Sequence, residues 1–175
     1  MDLKSKIREI PDWPKPGVSF KDITTLLEDQ TAFCQVIDQL AQPFIGQNID
    51  KVVGIDARGF LLAAPVAYKL KTGLAIVRKK GKLPSRTIAQ EYTLEYASNT
   101  IEMHDDTIKS GETVILIDDL CATGGTALAT CDLIAKLGGK ILAVSFLIDM
   151  SFLGGSKKIK DRGYKIYHLV EYDSE

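Results

Sequence analysis

The stretch VILIDDLCATGGT, residues 114–126, decides the fold. It reads as an apolar strand, then two acids at the carboxyl end of that strand, then a turn of small residues that opens a helix. In open α/β sheets a ligand binds in the crevice beyond the carboxyl ends of the strands, where such a turn lies. The stretch therefore predicts an α/β protein with its ligand at this edge of the sheet.

The turn itself, the phosphate loop of residues 122–126, has the properties of an anion site. Successive backbone N–H groups can face a ligand there, and the helix start adds about half a positive charge. The hydroxyls of Thr123 and Thr126 can bind phosphate oxygens or cap the helix. Neither GxxxxGK[ST] nor GxGxxG is present, which argues against an NTPase loop and a dinucleotide fold. A phosphate monoester is the predicted ligand of Ala122, Thr123, Gly124, Gly125 and Thr126.

The paired acids Asp118 and Asp119 come directly before this loop. Carboxylates can accept hydrogen bonds from sugar hydroxyls, so the pair would anchor a ribose whose 5-phosphate lies in the loop. The alternative is that both acids serve only in the turn or as helix caps. The small-residue continuation favours the ribose interpretation.

Apolar runs alternate with helical patterns along the rest of the chain, which predicts a mainly parallel sheet with helices on both faces. The predicted strands are residues 51–55, 74–77, 114–117, 141–148 and 164–172. The predicted helices are residues 31–45, 59–70 and 124–137, the last stopped by Gly138 and Gly139. The polar stretch between Gly81 and Ser110 reads as a long loop or hairpin, and long ordered loops are usually functional lids.

Composition limits the class of protein. With 175 residues and 45% apolar residues, one domain with a substantial core is expected. Lys plus Arg (22) nearly balance Asp plus Glu (23), so no cationic field favours nucleic acid. No signal peptide and no apolar run of roughly 18 residues is found, so neither secretion nor membrane spanning is expected. The three cysteines form no CxxC pair and fit a reduced cytoplasm.

The histidines and Cys121 are the remaining candidates for site chemistry. His104 and His168 have no metal-ligand spacing and read as ordinary polar residues. Cys121 reads as a small packing residue, although a thiol near a helix start can have a lowered pKa.

Five motifs in a fixed order resemble the type I phosphoribosyltransferases, most of all those that act on adenine. They are PGVSFKDIT (16–24), GIDARGF (54–60), RKKGKLP (78–84), LEY (94–96) and the acidic phosphate loop segment. The resemblance runs from about Ile7 to Tyr172. It implies one domain over residues 1–175, with a hood at about 1–30, a core at about 31–175 and a lid at about 82–98.

The resemblance also implies how the base is held. Phe20 would stack on adenine, and the main chain at Ser19 and Lys21 would bind the edge of the base. A carbonyl facing the 6-amino group would reject a 6-oxo purine. Without the family, Phe20 is more readily interpreted as a core aromatic residue.

Pyrophosphate binding is implied for Arg58, Lys79 and Lys82, with Tyr96 covering the reacting centre. Arginine offers two fixed donors that stay charged, although Arg58 taken alone is equally a surface residue in a tight turn. The basic cluster 78–82 would otherwise be a solvated face. Glu95 is implied in proton transfer at the purine. The catalytic set implied is thus Glu95, Asp118, Asp119 and Arg58.

The implied reaction joins adenine and phosphoribosyl pyrophosphate (PRPP) to give AMP and pyrophosphate. Mg²⁺ would be held mainly by PRPP, with no direct protein ligand set. A homodimer in the cytoplasm is also implied. Two alternatives stay open: a hypoxanthine or guanine enzyme of the same type, and a PRPP sensor without catalysis.

Overall fold

A seven-stranded sheet forms the centre of the computed structural model, which describes residues 1–94 and 97–174; for 93, 94, 97 and 98 the backbone alone is described. The strands are β1 Arg8–Ile10, β2 Phe20–Asp22, β3 Lys51–Ile55, β4 Gly73–Lys79, β5 Thr87–Leu94, β6 Ala97–His104, β7 Thr113–Cys121, β8 Lys140–Met150 and β9 Ile166–Tyr172. The helices are α1 Thr24–Glu28, α2 Gln30–Ala41, α3 Arg58–Leu70, α4 Gly125–Lys136 and α5 Gly155–Asp161.

The large sheet has the strand order β5-β6-β4-β3-β7-β8-β9. Strands β4, β3, β7, β8 and β9 run parallel, and β5 and β6 add an antiparallel hairpin at one edge. The predicted α/β class with a mainly parallel sheet is confirmed. The polar stretch after Gly81, predicted as a loop or hairpin, forms the β5–β6 hairpin.

Each face of the sheet carries its own apolar core. One core joins Val36 of α2 and Val66 of α3 to Ile115 of β7. The other joins Leu133 of α4 to Leu116 of β7 and Phe146 of β8. Because β7 contributes alternate residues to both cores, it is buried on two sides and reads as a continuous apolar run.

The first predicted helix is shorter than residues 31–45. Helix α2 begins after Asp29, whose Oδ1 accepts hydrogen bonds from the N–H groups of Thr31 and Ala32, each at 3.0 Å. It ends at Ala41, and a 3₁₀ turn follows over Gln42–Phe44. Pro43 has no N–H to continue the α-helical pattern, which explains the early end.

Strand β7 is longer than predicted. It continues past Ile117 to Cys121 because Leu120 and Cys121 still pair with Ile148 and Asp149 of β8. The two acids therefore lie within the last residues of the strand, and their side chains are fixed by the sheet.

Strands β1 and β2 form a small sheet of their own, which shares no strand pairing with the main sheet. Phe20 and Lys21 lie in β2 opposite Ile10 and Glu9. Within residues 1–94 and 97–174, no helix is both long enough and apolar enough to cross a membrane.

Candidate active site

A cleft of about 280 Å³ lies at the carboxyl ends of β3, β4 and β7. Five of the predicted site residues line it: Arg58, Lys79, Asp118, Asp119 and Thr126. They come from four separate segments, which the parallel strands bring to one edge of the sheet. The predicted ligand edge is therefore a real concavity.

The phosphate loop lines an adjoining pocket of about 130 Å³. Gly124 has a φ of 80°, a left-handed conformation that suits glycine, and α4 begins at the next residue. No side chain caps this helix start, so the capping alternative for Thr123 and Thr126 is not realised. Thr126 instead donates a hydrogen bond from Oγ1 to the Tyr92 hydroxyl at 3.1 Å.

The paired acids have different surroundings. Asp119 is buried, and its Oδ2 lies 2.6 Å from Arg58 Nε in an ion pair. Asp118 Oδ1 accepts the backbone N–H of Asp119 at 2.9 Å, and Asp118 also borders the phosphate pocket. Arg58 thus compensates the carboxylate of Asp119, while Asp118 borders both pockets.

Burial dominates the electrostatics of this pair. It raises the pKa of the Asp118 carboxyl well above its ordinary range, and repulsion from Asp119 raises it further. Burial also raises the pKa of Asp119, although the Arg58 charge opposes that shift. Two adjacent carboxyl groups that are largely removed from solvent are costly to ionise, and shifted pKa values of this kind are typical of functional sites.

A close approach of glycine to β7 positions Arg58. A Cβ on Gly59 would lie 2.7 Å from Asp118 Oδ1 and 3.2 Å from Asp118 Cα. Only glycine lets the first turn of α3 lie directly against the acids. Arg58, the first residue of that helix, consequently faces Asp119.

Arg58 also reaches the small sheet. Its guanidinium carbon lies 5.0 Å from the centroid of the Phe20 ring, and Phe20 packs against Trp13 with ring centroids 4.4 Å apart. Arg58 therefore connects Asp119 to the predicted base-stacking residue. The ion pair with Asp119 was not predicted from the sequence.

The side chain of Lys21 points into the protein. Its Nζ donates to Ser19 Oγ at 3.0 Å and lies 3.1 Å from Glu9 Oε2 and 4.4 Å from the centroid of the Tyr172 ring. Only 2% of Lys21 is exposed. The side chains of Ser19 and Lys21 are thus engaged within the protein, and the role of their main chain in base binding stays a prediction.

The basic cluster divides into two parts. Lys79 lines the cleft, whereas Lys82 is exposed and is not among the described residues that line it. Arg78 holds this segment in place, since its Nε donates to Asp56 Oδ2 at 3.0 Å and its Nη1 to the Lys82 carbonyl at 3.3 Å. Sequence reasoning missed this supporting role of Arg78 and Asp56.

The hairpin contributes a residue that sequence reasoning also missed. Tyr92 lines the cleft and contacts the phosphate loop through Thr126. The only available signal was an aromatic residue within a hydroxyl-rich stretch. The predicted Glu95 and Tyr96 lie outside the described residues.

Cys121 is the packing residue that the sequence predicted, and the alternative of a lowered thiol pKa is not realised. Burial raises the pKa of this thiol to about 12, and the charges of Asp149 and Asp118 add to the shift. With 1% of its surface exposed, Cys121 is a packing residue.

The described residues contain no group of three or more His, Cys, Asp or Glu side chains that could hold a metal ion. Asp118 and Asp119 are nevertheless hard oxygen donors beside the cleft. Two carboxyl groups are too few to hold Mg²⁺ alone, so an ion at this cleft would take most of its ligands from bound phosphates and water.

Residues 24–172 match the family model of the phosphoribosyl transferase domain. The chain belongs to the phosphoribosyltransferase family. Its sequence is 51% identical to adenine phosphoribosyltransferase from Desulfosudis oleivorans, with all of both chains covered. The central parallel sheet and its acidic loop are thus those of a type I phosphoribosyltransferase.

Solved phosphoribosyltransferases share the fold closely. The adenine phosphoribosyltransferase from Thermoanaerobacter pseudethanolicus has a TM-score of 0.93 and 45% identity, with 98% of each chain covered. The enzyme from Saccharomyces cerevisiae, solved with an imino-altritol bisphosphate and adenine, has a TM-score of 0.89 and 32% identity over 96% of each chain. The similarity to the Desulfosudis oleivorans protein covers the whole chain and therefore includes Phe20, which precedes the segment matched by the family model.

Proposed function

We propose that this phosphoribosyltransferase transfers the 5-phosphoribosyl group of PRPP to N9 of adenine, giving AMP and pyrophosphate. One observation carries the proposal: Asp118 borders both the cleft and the adjoining pocket of the phosphate loop, and Asp119 pairs with Arg58, which in turn contacts Phe20. The chain also aligns end to end with relatives named for this activity.

The phosphate loop binds the 5-phosphate of PRPP. Backbone N–H groups at the start of α4 supply donors, and the helix dipole favours the negative charge. The Thr126 hydroxyl already lies at this pocket. Asp118 and Asp119 accept hydrogen bonds from the ribose hydroxyls, which fixes the sugar relative to the loop.

The base binds between the hood, about residues 1–30, and the cleft. Phe20 stacks on the purine, and Arg58 supports the Phe20 ring through the contact between them. Main-chain groups of Ser19 and Lys21 bind the base edge. A carbonyl facing the exocyclic amine selects adenine, because a 6-oxo group would place acceptor against acceptor.

In the reaction, the bond from N9 to the anomeric carbon forms as the bond from that carbon to the pyrophosphate oxygen breaks. Positive charge grows on the ribose, and negative charge grows on the departing pyrophosphate. Arg58, Lys79 and Lys82 stabilise the pyrophosphate electrostatically, with Lys79 already at the cleft. Glu95 takes part in moving the purine proton, and Tyr96 covers the reacting centre.

Mg²⁺ is the proposed cofactor and supplies charge neutralisation of the pyrophosphate when bound. The lid, about residues 82–98, excludes water from the activated sugar. We also propose that residues 1–175 act as one domain, in a homodimer, in the cytoplasm. The partners are adenine and PRPP, without nucleic acid or membrane.

Product analysis tests the proposal. Protein, PRPP, Mg²⁺ and adenine are expected to yield AMP and pyrophosphate in equal amounts, whereas ribose 5-phosphate in place of PRPP yields none because it lacks the leaving group. Chelation of Mg²⁺ should abolish the reaction. Tight binding of PRPP without any nucleotide product would contradict the proposal and support a sensor instead.

A further inference from the structure

The segment that begins α5 lies directly against the phosphate loop, more than 25 residues away in sequence. Gly155 N–H donates a hydrogen bond to the Ala122 carbonyl at 3.1 Å. Lys158 Nζ donates to the next carbonyl, that of Thr123, at 3.4 Å. Two consecutive loop carbonyls are therefore turned toward α5.

The direction of these two carbonyls also determines the direction of the N–H groups in the same peptide units. The cis peptide bonds of the described chain are Trp13–Pro14 and Asp56–Ala57, so the peptides after Ala122 and Thr123 are trans. In a trans peptide the C=O and N–H groups point in opposite directions. The N–H groups of Thr123 and Gly124 consequently point away from α5, and consecutive N–H groups that share a direction form an anion site.

Close packing allows only glycine at residue 155. A Cβ there would lie 2.2 Å from the Ala122 carbonyl oxygen, 2.6 Å from the Gly124 nitrogen and 2.8 Å from the Thr123 carbonyl carbon. All three contacts are to main-chain atoms of the phosphate loop, which cannot swing aside as a flexible side chain would. A side chain at residue 155 must therefore displace the loop.

We propose that Gly155, assisted by Lys158, is a positioning residue that holds the phosphate loop with its N–H groups directed at the 5-phosphate. Gly155 sets the peptide plane at Ala122 and touches no substrate atom. Lys158 gives the weaker support, because its contact is longer and its side chain is exposed. The inference rests on the proposed function for the identity of the phosphate ligand.

The test compares Gly155→Ala with Gly154→Ala as a matched control. Gly154 has a left-handed φ, 72°, which Gly155 does not share, and a Cβ on Gly154 would meet nothing within 4 Å. The control thus introduces backbone strain beside α5 without displacing the loop. Ribose 5-phosphate and pyrophosphate are the probes, each titrated calorimetrically against the full-length protein.

Gly155→Ala is expected to weaken ribose 5-phosphate binding at least about tenfold while pyrophosphate binding changes less than about twofold. In turnover the KM for PRPP should rise and the KM for adenine should stay near the wild-type value. The control should keep both affinities. Lys158→Met, at an exposed position that tolerates substitution, should weaken ribose 5-phosphate binding by about two- to fivefold, with Lys158→Arg restoring it.

Wild-type affinity for ribose 5-phosphate in both Gly155→Ala and Lys158→Met would overturn the inference, as would an equal loss for the two probes. If Gly155→Ala does not fold, the Lys158 variants decide the matter alone. If the variants give these results while the wild-type protein makes AMP, only the positioning role of Gly155 and Lys158 is refuted. A wild-type protein that neither binds ribose 5-phosphate nor makes AMP refutes the proposed function together with it.

Discussion

At the scale of single residues, Asp118 is the clearest conflict between stability and function. It lies beside Asp119, in a cleft where burial raises the pKa of its carboxyl group. The folded protein therefore holds the proton of Asp118 to a higher pH than the unfolded chain does. As the pH rises from the ordinary pKa of aspartate to the raised pKa of the folded state, ionisation favours the unfolded state and the free energy of unfolding falls.

The substitution Asp118→Asn removes this cost and keeps an oxygen for the Asp119 N–H. We expect the free energy of unfolding at pH 7 to increase on the order of 1 kcal/mol, and the gain to shrink as pH falls toward the ordinary range of aspartate. Activity should fall about 10²-fold, since the ribose anchor is lost. Urea unfolding between pH 5 and 8 measures the first effect, and initial rates measure the second.

Asp119→Asn is the matched control. It removes an equal charge but also leaves Arg58 without its ion-pair partner, so it should gain less stability than Asp118→Asn. Equal gains from both variants, or near-wild-type turnover in the double variant, would contradict the assignment of the pair.

At the scale of secondary-structure elements, the β5–β6 hairpin packs along α4. Tyr92 Oη accepts the Thr126 hydroxyl, and Lys136 Nζ donates to Gln90 Oε1 at 2.7 Å. One contact is at the cleft and the other is near the far end of the same helix. The hairpin is thus joined to the element that carries the phosphate loop.

Tyr92→Phe removes only the hydroxyl at the cleft. We expect the KM for PRPP to rise about two- to tenfold, the range of one net hydrogen bond, with the KM for adenine unchanged. Gln90→Ala loosens the hairpin away from the cleft and serves as the control. Steady-state kinetics that show the same PRPP effect in both variants would assign it to the hairpin in general and not to the hydroxyl.

The sequence predicted the elements whose signals are local. The apolar run of β7, the small residues after it and the Gly138 stop each act within a few residues, and each appears in the structure. Contacts between distant segments carry no local signal. The Arg58–Asp119 ion pair, the Tyr92–Thr126 hydrogen bond and the packing of Gly155 on the loop all depend on strand order, which one sequence does not specify.

The Cys121 thiol illustrates the same limit. Its sequence position, near a helix start, allowed a lowered pKa as an alternative, but burial in the core between β7 and α4 raises the pKa instead.

The predicted roles of Ser19, Phe20 and Lys21 came from family resemblance, because PGVSFKDIT has no periodic pattern that identifies a base site.

At the scale of the whole molecule, Lys21 joins the small N-terminal sheet to the last strand of the main sheet. Its buried ammonium group contacts Glu9 and Ser19 on one side and the Tyr172 ring of β9 on the other. A desolvated cation over an aromatic ring contributes about 2 kcal/mol. The position of β2, and with it the contact of Phe20 with Arg58, therefore depends on an interaction between the N-terminal sheet and the last strand.

Lys21→Met should loosen the hood while leaving the phosphate loop intact. We expect the KM for adenine to rise about tenfold and the KM for PRPP to stay within about twofold of wild type. Lys21→Arg keeps the charge and should restore adenine binding. Equal increases in both constants, measured under matched conditions, would mean that Lys21 supports the fold and does not position the base site.

A base-competition assay shows whether this protein transfers the phosphoribosyl group to adenine. PRPP and Mg²⁺ are mixed with equal concentrations of adenine, hypoxanthine and guanine, and the nucleotides formed are separated and quantified. We expect AMP as the main product with matching pyrophosphate, because main-chain groups of the hood select the 6-amino group. IMP or GMP as the main product would contradict it.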